Sequence, residues 1–467
     1  MKITHFLLLA VLAVMVFFGC ATPPAEAPPE PEEEAPAEEP IIDPAEEAYE
    51  SISLAMAAGD PEAAIAAYEK AELENPDEPE TQVLLANLYM TAGQIGEAER
   101  ILDQVLATNP ENSDALYAKA LIAGARGDRS AKKELLTRVV EQEPENASAQ
   151  AALGEVHLEN RNYVWAEESF EASLDAEPDN FVALQGLGNV KLRTDKPEEA
   201  EEYLSQAIEE REDYPFTYVD RGRARILQDR YGEAEGDLNR AIELEPEFPW
   251  NYLDRGRVRA QRNNLEGAEA DFTRAIELND EIFLAYVYRA RMRDRLDKDV
   301  AAIEDYEQAI QMRPDYHPAY APLGTLYYED QQWRKAHEMF AESYEKSETK
   351  DHAQAIMASL ALKRLGEERE AREYLREKID QFTRNSLYYH VGRFYVEPSY
   401  EAIAFRQLEE TEDQLLKKRM SFYMAAQYEL NESHTLARRL YAKVTDQQLA
   451  GFLERRLAEL RLSELRE

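Results

Sequence analysis

The sequence predicts an all-α chain, an α-solenoid of about eleven to twelve helix pairs with a C-terminal capping helix. Three observations carry this. Pro76, Pro110, Pro144, Pro178, Pro246 and Pro314 stand on one lattice with a step of 34 residues, skipping only where Glu212 and Asp280 take the place. Small and large residues recur on the same lattice. Ala64, Ala98, Ala166, Ala200, Ala234, Ala268, Ala302 and Ala336 form one column, which only Lys132 breaks. Four residues later come Tyr68, Leu102, Leu136, Phe170, Leu204, Leu238, Phe272, Tyr306 and Phe340. A second small column reads Ala86, Ala120, Gly154, Gly188, Gly222, Gly256, Ala290 and Gly324. The third observation is composition: 31% charged residues, only 18 Gly, and no alternating strand pattern.

Each column has a physical meaning. A small residue inside a helix lets a second helix come close. The large residue four positions on shares its face, one turn along. Proline cannot continue a helix, so it is expected to end each pair. The repeating element is therefore helix, turn, helix, stop.

Taken from its start, the chain opens on a targeting segment, residues 1–20. Lys2 supplies the positive charge and Phe6 to Phe18 is an apolar run, too short for a membrane-spanning helix and suited to a secretory signal. It ends in Phe17-Phe18-Gly19-Cys20, which resembles the bacterial lipobox, whose cysteine is lipidated and becomes the first mature residue. Cys20 is the only cysteine, so the chain forms no intramolecular disulfide and its stability is expected to come from helix packing. Residues 21–44 are a Pro/Glu/Ala tract without Lys or Arg. Such a tract repels itself and is expected to be a disordered stalk, reaching roughly 75 Å in polyproline geometry. Residues 45–350 hold nine in-phase repeats, the first degenerate because Ile52 stands where Gly or Ala is expected. That suits a terminal repeat, which faces water on one side. Residues 351–449 hold three frayed ones. Leu365-Gly366, Ala371 and Leu375 are shifted by one residue, Tyr388, Gly392, Tyr395, Ala404 and Leu408 return to the lattice, and Ala425, Tyr428, Ala437, Tyr441 and Val444 fit the last. Residues 450–467 fall in a capping helix read from Leu449 to Leu465, with Leu453, Leu457, Leu460 and Leu465 at helical spacing.

The columns together resemble the tetratricopeptide repeat (TPR). That resemblance implies a right-handed solenoid whose first helices face a concave groove. The C-terminal run from Phe394-Tyr395 through Phe422 to Tyr428, Ala437, Tyr441 and Glu454 to Leu460 is similar to the end of NlpI-type outer-membrane adaptor lipoproteins. This second resemblance implies adaptors that dock a periplasmic protease and peptidoglycan hydrolases and can dimerise. With the lipobox it places the chain on a bacterial outer membrane, lipid-anchored and facing the periplasm or the cell surface. Partners there are proteins or peptides, and the membrane is touched only through the anchor. The process expected is envelope or peptidoglycan maintenance. Two alternatives stay open: an accessory lipoprotein of a periplasmic transporter, and an assembly factor of a pilus or secretion system.

The sequence shows no catalytic motif of the HExxH, GxSxG, CxxC or phosphate-loop kind, and its seven His residues lack metal-ligand spacing. No enzyme, cofactor or metal is expected. A net charge of −41 argues against nucleic acid, which needs a basic surface. Two arginine columns stand out. Arg221, Arg255 and Arg289 replace the apolar residue seen at Leu85, Leu153, Leu187 and Leu323, and sixteen residues later each meets an acid: Asp237, Asp271 and Asp305. These are expected to be structural ion pairs, since a buried unpaired arginine is costly. Arg223, Arg257 and Arg291 form the second column. With Phe216, Val219, Trp250, Leu253 and Val287 they fall, by resemblance, on the groove and form a candidate binding surface for an acidic peptide or a C-terminal carboxylate. Pairing with Asp220 and Asp254 is the equally weighted alternative.

Overall fold

The computed structural model describes residues 44–71, 78–445 and 453–465. Cys20, the signal segment, the stalk to residue 43, Pro76 and Leu449 lie outside the described residues. Those described form 25 α-helices, two short 3-10 turns and no strand. None of the described helices is long and apolar enough to cross a membrane. In chain order the helices are α1 (Pro44–Ala57), α2 (Pro61–Lys70), α3 (Pro79–Thr91), α4 (Ile95–Thr108), α5 (Ser113–Ala125), α6 (Arg129–Gln142), α7 (Ala147–Glu159), α8 (Tyr163–Ala176), α9 (Phe181–Arg193), α10 (Pro197–Glu210) and α11 (Pro215–Leu227). These fall in a first compact unit, which ends at Gln228. The second unit holds α12 (Tyr231–Leu244), α13 (Pro249–Gln261), α14 (Leu265–Leu278), α15 (Phe283–Arg295), α16 (Asp299–Met312), α17 (Tyr320–Glu329), α18 (Trp333–Lys346), α19 (His352–Leu365), α20 (Glu368–Ile379), α21 (Leu387–Val396), α22 (Glu401–Glu410), α23 (Gln414–Leu430), α24 (His434–Thr445) and α25 (Leu453–Glu464).

Three local devices recur every 34 residues. The first is the interlock of small and large columns. A Cβ added at Gly154 would lie 2.7 Å from the Phe170 ring, and one at Gly256 would lie 2.6 Å from the Phe272 ring. Without a Cβ, the first helix of a pair closes onto the aromatic ring of the second. The next device is the turn inside each pair. Gly59, Gly93, Gly127, Arg161, Asp195, Asp229, Asn263, Asp297 and Gln331 all have φ between 55° and 77°. This left-handed residue ends the first helix. The amide that follows it bonds back across the last turn, as Gln94 N does to Tyr89 O at 2.8 Å and Asn264 N to Arg259 O at 2.9 Å. The third is capping. The side chains of Asn112, Asn146 and Asn180 accept from the amides of Ala115, Ala149 and Ala183 at 2.8–3.0 Å and start α5, α7 and α9.

Proline is not what stops the second helix. Before Pro110 the backbone leaves the helix at Asn109, with φ −131° and ψ 85°. Arg211 and Asn279, which precede Glu212 and Asp280, adopt φ −142°, ψ 87° and φ −154°, ψ 105°. The break survives without the ring, so Pro fits a bend that neighbouring packing already imposes.

The core differs between the units. In the first, small separate clusters each serve one or two neighbouring repeats, as with Ala98, Leu102 and Ala115, or Leu136, Val139 and Ala149. The second also has one such small cluster, around Leu253, Phe272 and Met292, but beyond it one continuous core runs from Val287 to Ala458 and takes in Tyr328, Tyr344, Tyr395, Tyr423 and Tyr441, all fully buried. The frayed repeats after residue 350 therefore pack into a shared core.

Candidate functional site

Within the second unit the structural arginine column is an ordered polar staircase. Arg255 grips Asp271 through Nε and Nη2, at 3.0 and 2.6 Å, and donates from Nη1 to Asn239 Oδ1 at 2.8 Å. Arg289 repeats this on Asp305 at 2.9 and 2.7 Å. Both aspartates are buried. A further column, unnoticed from sequence, completes the network. Arg259 links Asp271 (2.9 Å) to Glu235 (2.8 Å), and Arg293 links Asp305 (2.7 Å) to Glu269 (3.1 Å). Burial pushes Glu235 and Glu269 up, but their basic partners outweigh it and hold both below the usual carboxylate range. In the first unit the same column reads Arg225 on Glu201 at 3.0 Å and Lys191 on Glu167 at 2.7 Å. The signal was available in the sequence: a base stands 24 residues after an acid in four successive repeats. Arg221 belongs to the first unit, where it donates to Ser205 Oγ at 3.3 Å; Asp237 is buried in the second.

The other arginine column is exposed. Arg223 meets Asp220 Oδ1 at 3.0 Å in the first unit, and Arg257 meets Asp254 Oδ1 at 3.2 Å in the second. The guanidinium side chains stay 55% and 58% exposed, so water screens both pairs and each contributes little stability. Asp220 itself is buried and also accepts from Asn189 at 3.1 Å. Burial pushes its carboxyl up, with Arg223 and Asn189 opposing. Arg291 has Tyr288 three residues before it where the other two have Asp, and it makes no ion pair among the described residues. Arg257 lies 6.0 Å from the centre of the Tyr288 ring.

Of the predicted apolar members, Phe216 and Trp250 are open, at 39% and 44% exposure. In the first unit Phe216 continues an aromatic edge: Phe181 meets Tyr214 edge-on at 5.3 Å, Tyr214 meets Phe216 at 5.5 Å, and Arg211 lies 4.6 Å over Phe181. Val219, Leu253 and Val287 correct the sequence reading. All three are buried and spend their side chains on core packing, so a partner does not reach them. The surface is thus narrower than expected: one aromatic at the start of the first helix and one arginine two turns on.

Among the described residues no group of three or more His, Cys, Asp or Glu could hold a metal ion. What these residues offer, in each unit separately, is exposed guanidinium donors, with Arg257 beside the Tyr288 ring.

This architecture is that of a helical-repeat scaffold. Tetratricopeptide-repeat models match the chain at residues 55–122 and 157–226, and at 119–181 and 253–317. The chain belongs to the tetratricopeptide-repeat family. Several solved structures are similar to part of its length. YrrB, described as a TPR protein with an unusual peptide-binding site, is 19% identical, covering 39% of this chain and 95% of its own with a TM-score of 0.36. PilW, a type IV pilus biogenesis factor, is 20% identical, covering 44% and 94% with a TM-score of 0.40. A tetratricopeptide repeat protein from Parabacteroides merdae is 19% identical, covering 53% and 98% with a TM-score of 0.38. A comparison with curated proteins finds no match.

Proposed function

We propose that this chain is a lipid-anchored TPR adaptor of the bacterial envelope. Cys20 carries the lipid on the outer membrane, the tract from residue 21 up to the first helix acts as a stalk, and the repeats hold protein partners in envelope or peptidoglycan maintenance. TPR proteins as a class bind protein or peptide partners and are scaffolds, not catalysts. The observation that carries the binding reading is the contrast between the two arginine columns. Arg255 and Arg289 are locked onto buried aspartates. Arg223 instead stays open to solvent in the unit that exposes Phe216, as do Arg257 and Arg291 in the unit that exposes Trp250. An exposed ring with an arginine is the composition found where binding energy concentrates. The partner this surface suits carries carboxylates, on an acidic peptide or at a chain terminus. Because the receiving side chains stand on helices, little ordering is needed on this side of the complex.

The test is capture from solubilised envelopes with the wild-type chain and with Arg223→Glu/Arg257→Glu/Arg291→Glu. Partners held by the wild type and lost by the variant are the expected result. Equal capture would remove this surface from the account. Partners from a pilus, a secretion system or a transporter would move the process to one of those alternatives. Cys20→Ser is expected to abolish incorporation of radiolabelled fatty acid and release the chain from the membrane fraction; unchanged labelling would end the anchor proposal.

A further inference from the structure

The C-terminal helix α25 does more than close the last repeat. One of its faces seats it. Glu454, fully buried, accepts from Arg419 Nε at 2.8 Å and Tyr423 Oη at 2.7 Å on α23. Leu457 and Ala458 are also fully buried, and Arg461 reaches Glu429. Arg456 lies off that face and does something capping does not require. It reaches back 162 residues to Asp294 at the end of α15, and its Nη2 lies 3.6 Å from Asp299 on α16 and 2.5 Å from Glu329 on α17. The last contact is an ion pair in which Glu329 Oε2 is buried and makes no hydrogen bond among the described residues. Three carboxylates from three helices thus share one guanidinium, and the cluster keeps an excess of negative charge. Burial pushes Glu329 up to about 7, with Arg456 opposing and Asp294 and Asp299 adding to the rise. Arg456 itself is 39% exposed. The grip on the carboxylates is open to water at the arginine end; apolar anchoring comes from the fully buried Leu457 and Ala458, with Leu453, Leu462 and Leu465 only partly buried against the same core.

We propose that Asp294, Asp299 and Glu329 form a docking site for an arginine presented on an amphipathic helix, and that α25 fills this site in cis until a basic helical segment of a partner protein displaces it. The inference rests on the adaptor reading and names a second partner chemistry, basic where the Arg257 surface suits acids. Three carboxylates complement a helix carrying more than one base, which neutralises them better than Arg456 alone. α25 shows the geometry such a helix would take.

The test uses the full chain and a fluorescent peptide of residues 453–465 as the probe. Binding is titrated on the wild type, on Arg456→Gln, and on Arg456→Gln/Asp294→Asn/Glu329→Gln. Arg456→Gln should bind the peptide at least tenfold more tightly than the wild type, and the gain should vanish in the triple variant. Equal binding by wild type and Arg456→Gln overturns the proposal, as does a gain that persists in the triple variant. A thermal melt checks that each variant is folded. Independently of any variant, excess peptide should speed hydrogen exchange of the wild-type amides in residues 453–464 at least tenfold while leaving α13 unchanged. No acceleration overturns displacement. If the peptide results fail while capture by wild type against the Arg223/Arg257/Arg291 variant succeeds, the adaptor reading stands and only the strap falls.

Discussion

At the residue scale, two glutamates of the second unit, Glu429 buried and Glu329 partly buried, give opposite pH signatures. Glu429 accepts from Arg364 Nη2 and Nη1 at 2.8 and 2.9 Å and from Tyr441 Oη at 2.8 Å, and Arg461 also binds it. Burial raises its carboxyl, but Arg364 and Arg461 outweigh that and hold it near 2, below the ordinary 4.5. A depressed carboxyl stabilises the fold above pH 4.5 and loses that contribution as pH falls from 4.5 through 2. Glu429→Gln is therefore expected to cost about 3–5 kcal/mol at pH 7, because it strands Arg364 in the core, and progressively less at low pH. Glu329 behaves oppositely. Its value of about 7 lies above 4.5, so its contribution is full below pH 4.5 and is lost as pH rises through 7. Glu329→Gln should thus be more stable than the wild type at pH 8, by on the order of 1–3 kcal/mol, and nearly equal to it at pH 4.5. Denaturant melts of both variants at pH 4.5 and 8 check the two signs. The Arg255–Asp271 pair belongs here too. Sequence showed that the two residues appear together, but not that Arg259 shares the aspartate. A charge swap would place a second guanidinium at position 271, against Arg259, so the cleaner test is a cycle of Arg255→Leu, Asp271→Leu and the double variant. A coupling energy of about 1–3 kcal/mol is expected; a coupling near zero would mean the pair is ornamental.

At the scale of the helix pair, packing sets the rules and the sequence partly shows them. The small column was legible because size alone reports it. Gly256 faces Phe272, Gly154 faces Phe170 and Gly188 faces Leu204, while Ala86 and Ala120 accompany Leu102 and Leu136, so size at the small position is not set by the partner's ring alone. Gly256→Ala should cost about 1–3 kcal/mol by overpacking, and Phe272→Leu added to it should recover most of the loss. Failure to recover would mean that the glycine serves the backbone and not the ring. The turn column was not legible, because three Gly give way to Arg161, Asp195, Asp229, Asn263, Asp297 and Gln331, and only backbone geometry unites them. Gln331, at φ 58°, pays for a conformation that glycine adopts freely. Gln331→Gly is expected to stabilise the chain by about 1 kcal/mol in a denaturant melt. The prolines misled for a related reason: they mark the bend and do not make it, as Arg211 and Asn279 show. The binding surface was half legible. Phe216, Trp250 and the exposed arginines could be placed from their lattice positions. The burial of Val219, Leu253 and Val287 depends on neighbouring helices, which one repeat read alone does not contain.

At the scale of the whole molecule, charge and core divide the chain unevenly. Residues 351–467 contain 19 Lys and Arg against 20 Asp and Glu, so nearly all of the net charge of −41 lies before them. From sequence, the stretch after residue 350 looks like a repeat in decay. In the structure it carries the largest continuous core and the buried Glu429 and Glu454 networks. The period weakens there because side chains answer to several neighbours at once and no longer to a single lattice. Hydrogen exchange should reflect this, with the amides of α19 and α23 slowest and those of α1 and α2 fastest.

The central claim is that partners dock on the first-helix side marked by Trp250 and Arg257. The most direct measurement places a photo-crosslinking residue at Trp250 and, in a separate chain, at Trp165, which is also exposed but lies on a second helix, α8. Irradiation in intact cells is expected to give a discrete protein adduct at position 250 and none at 165. An adduct at 165 with none at 250 would contradict the account and move binding to the opposite face of the repeats.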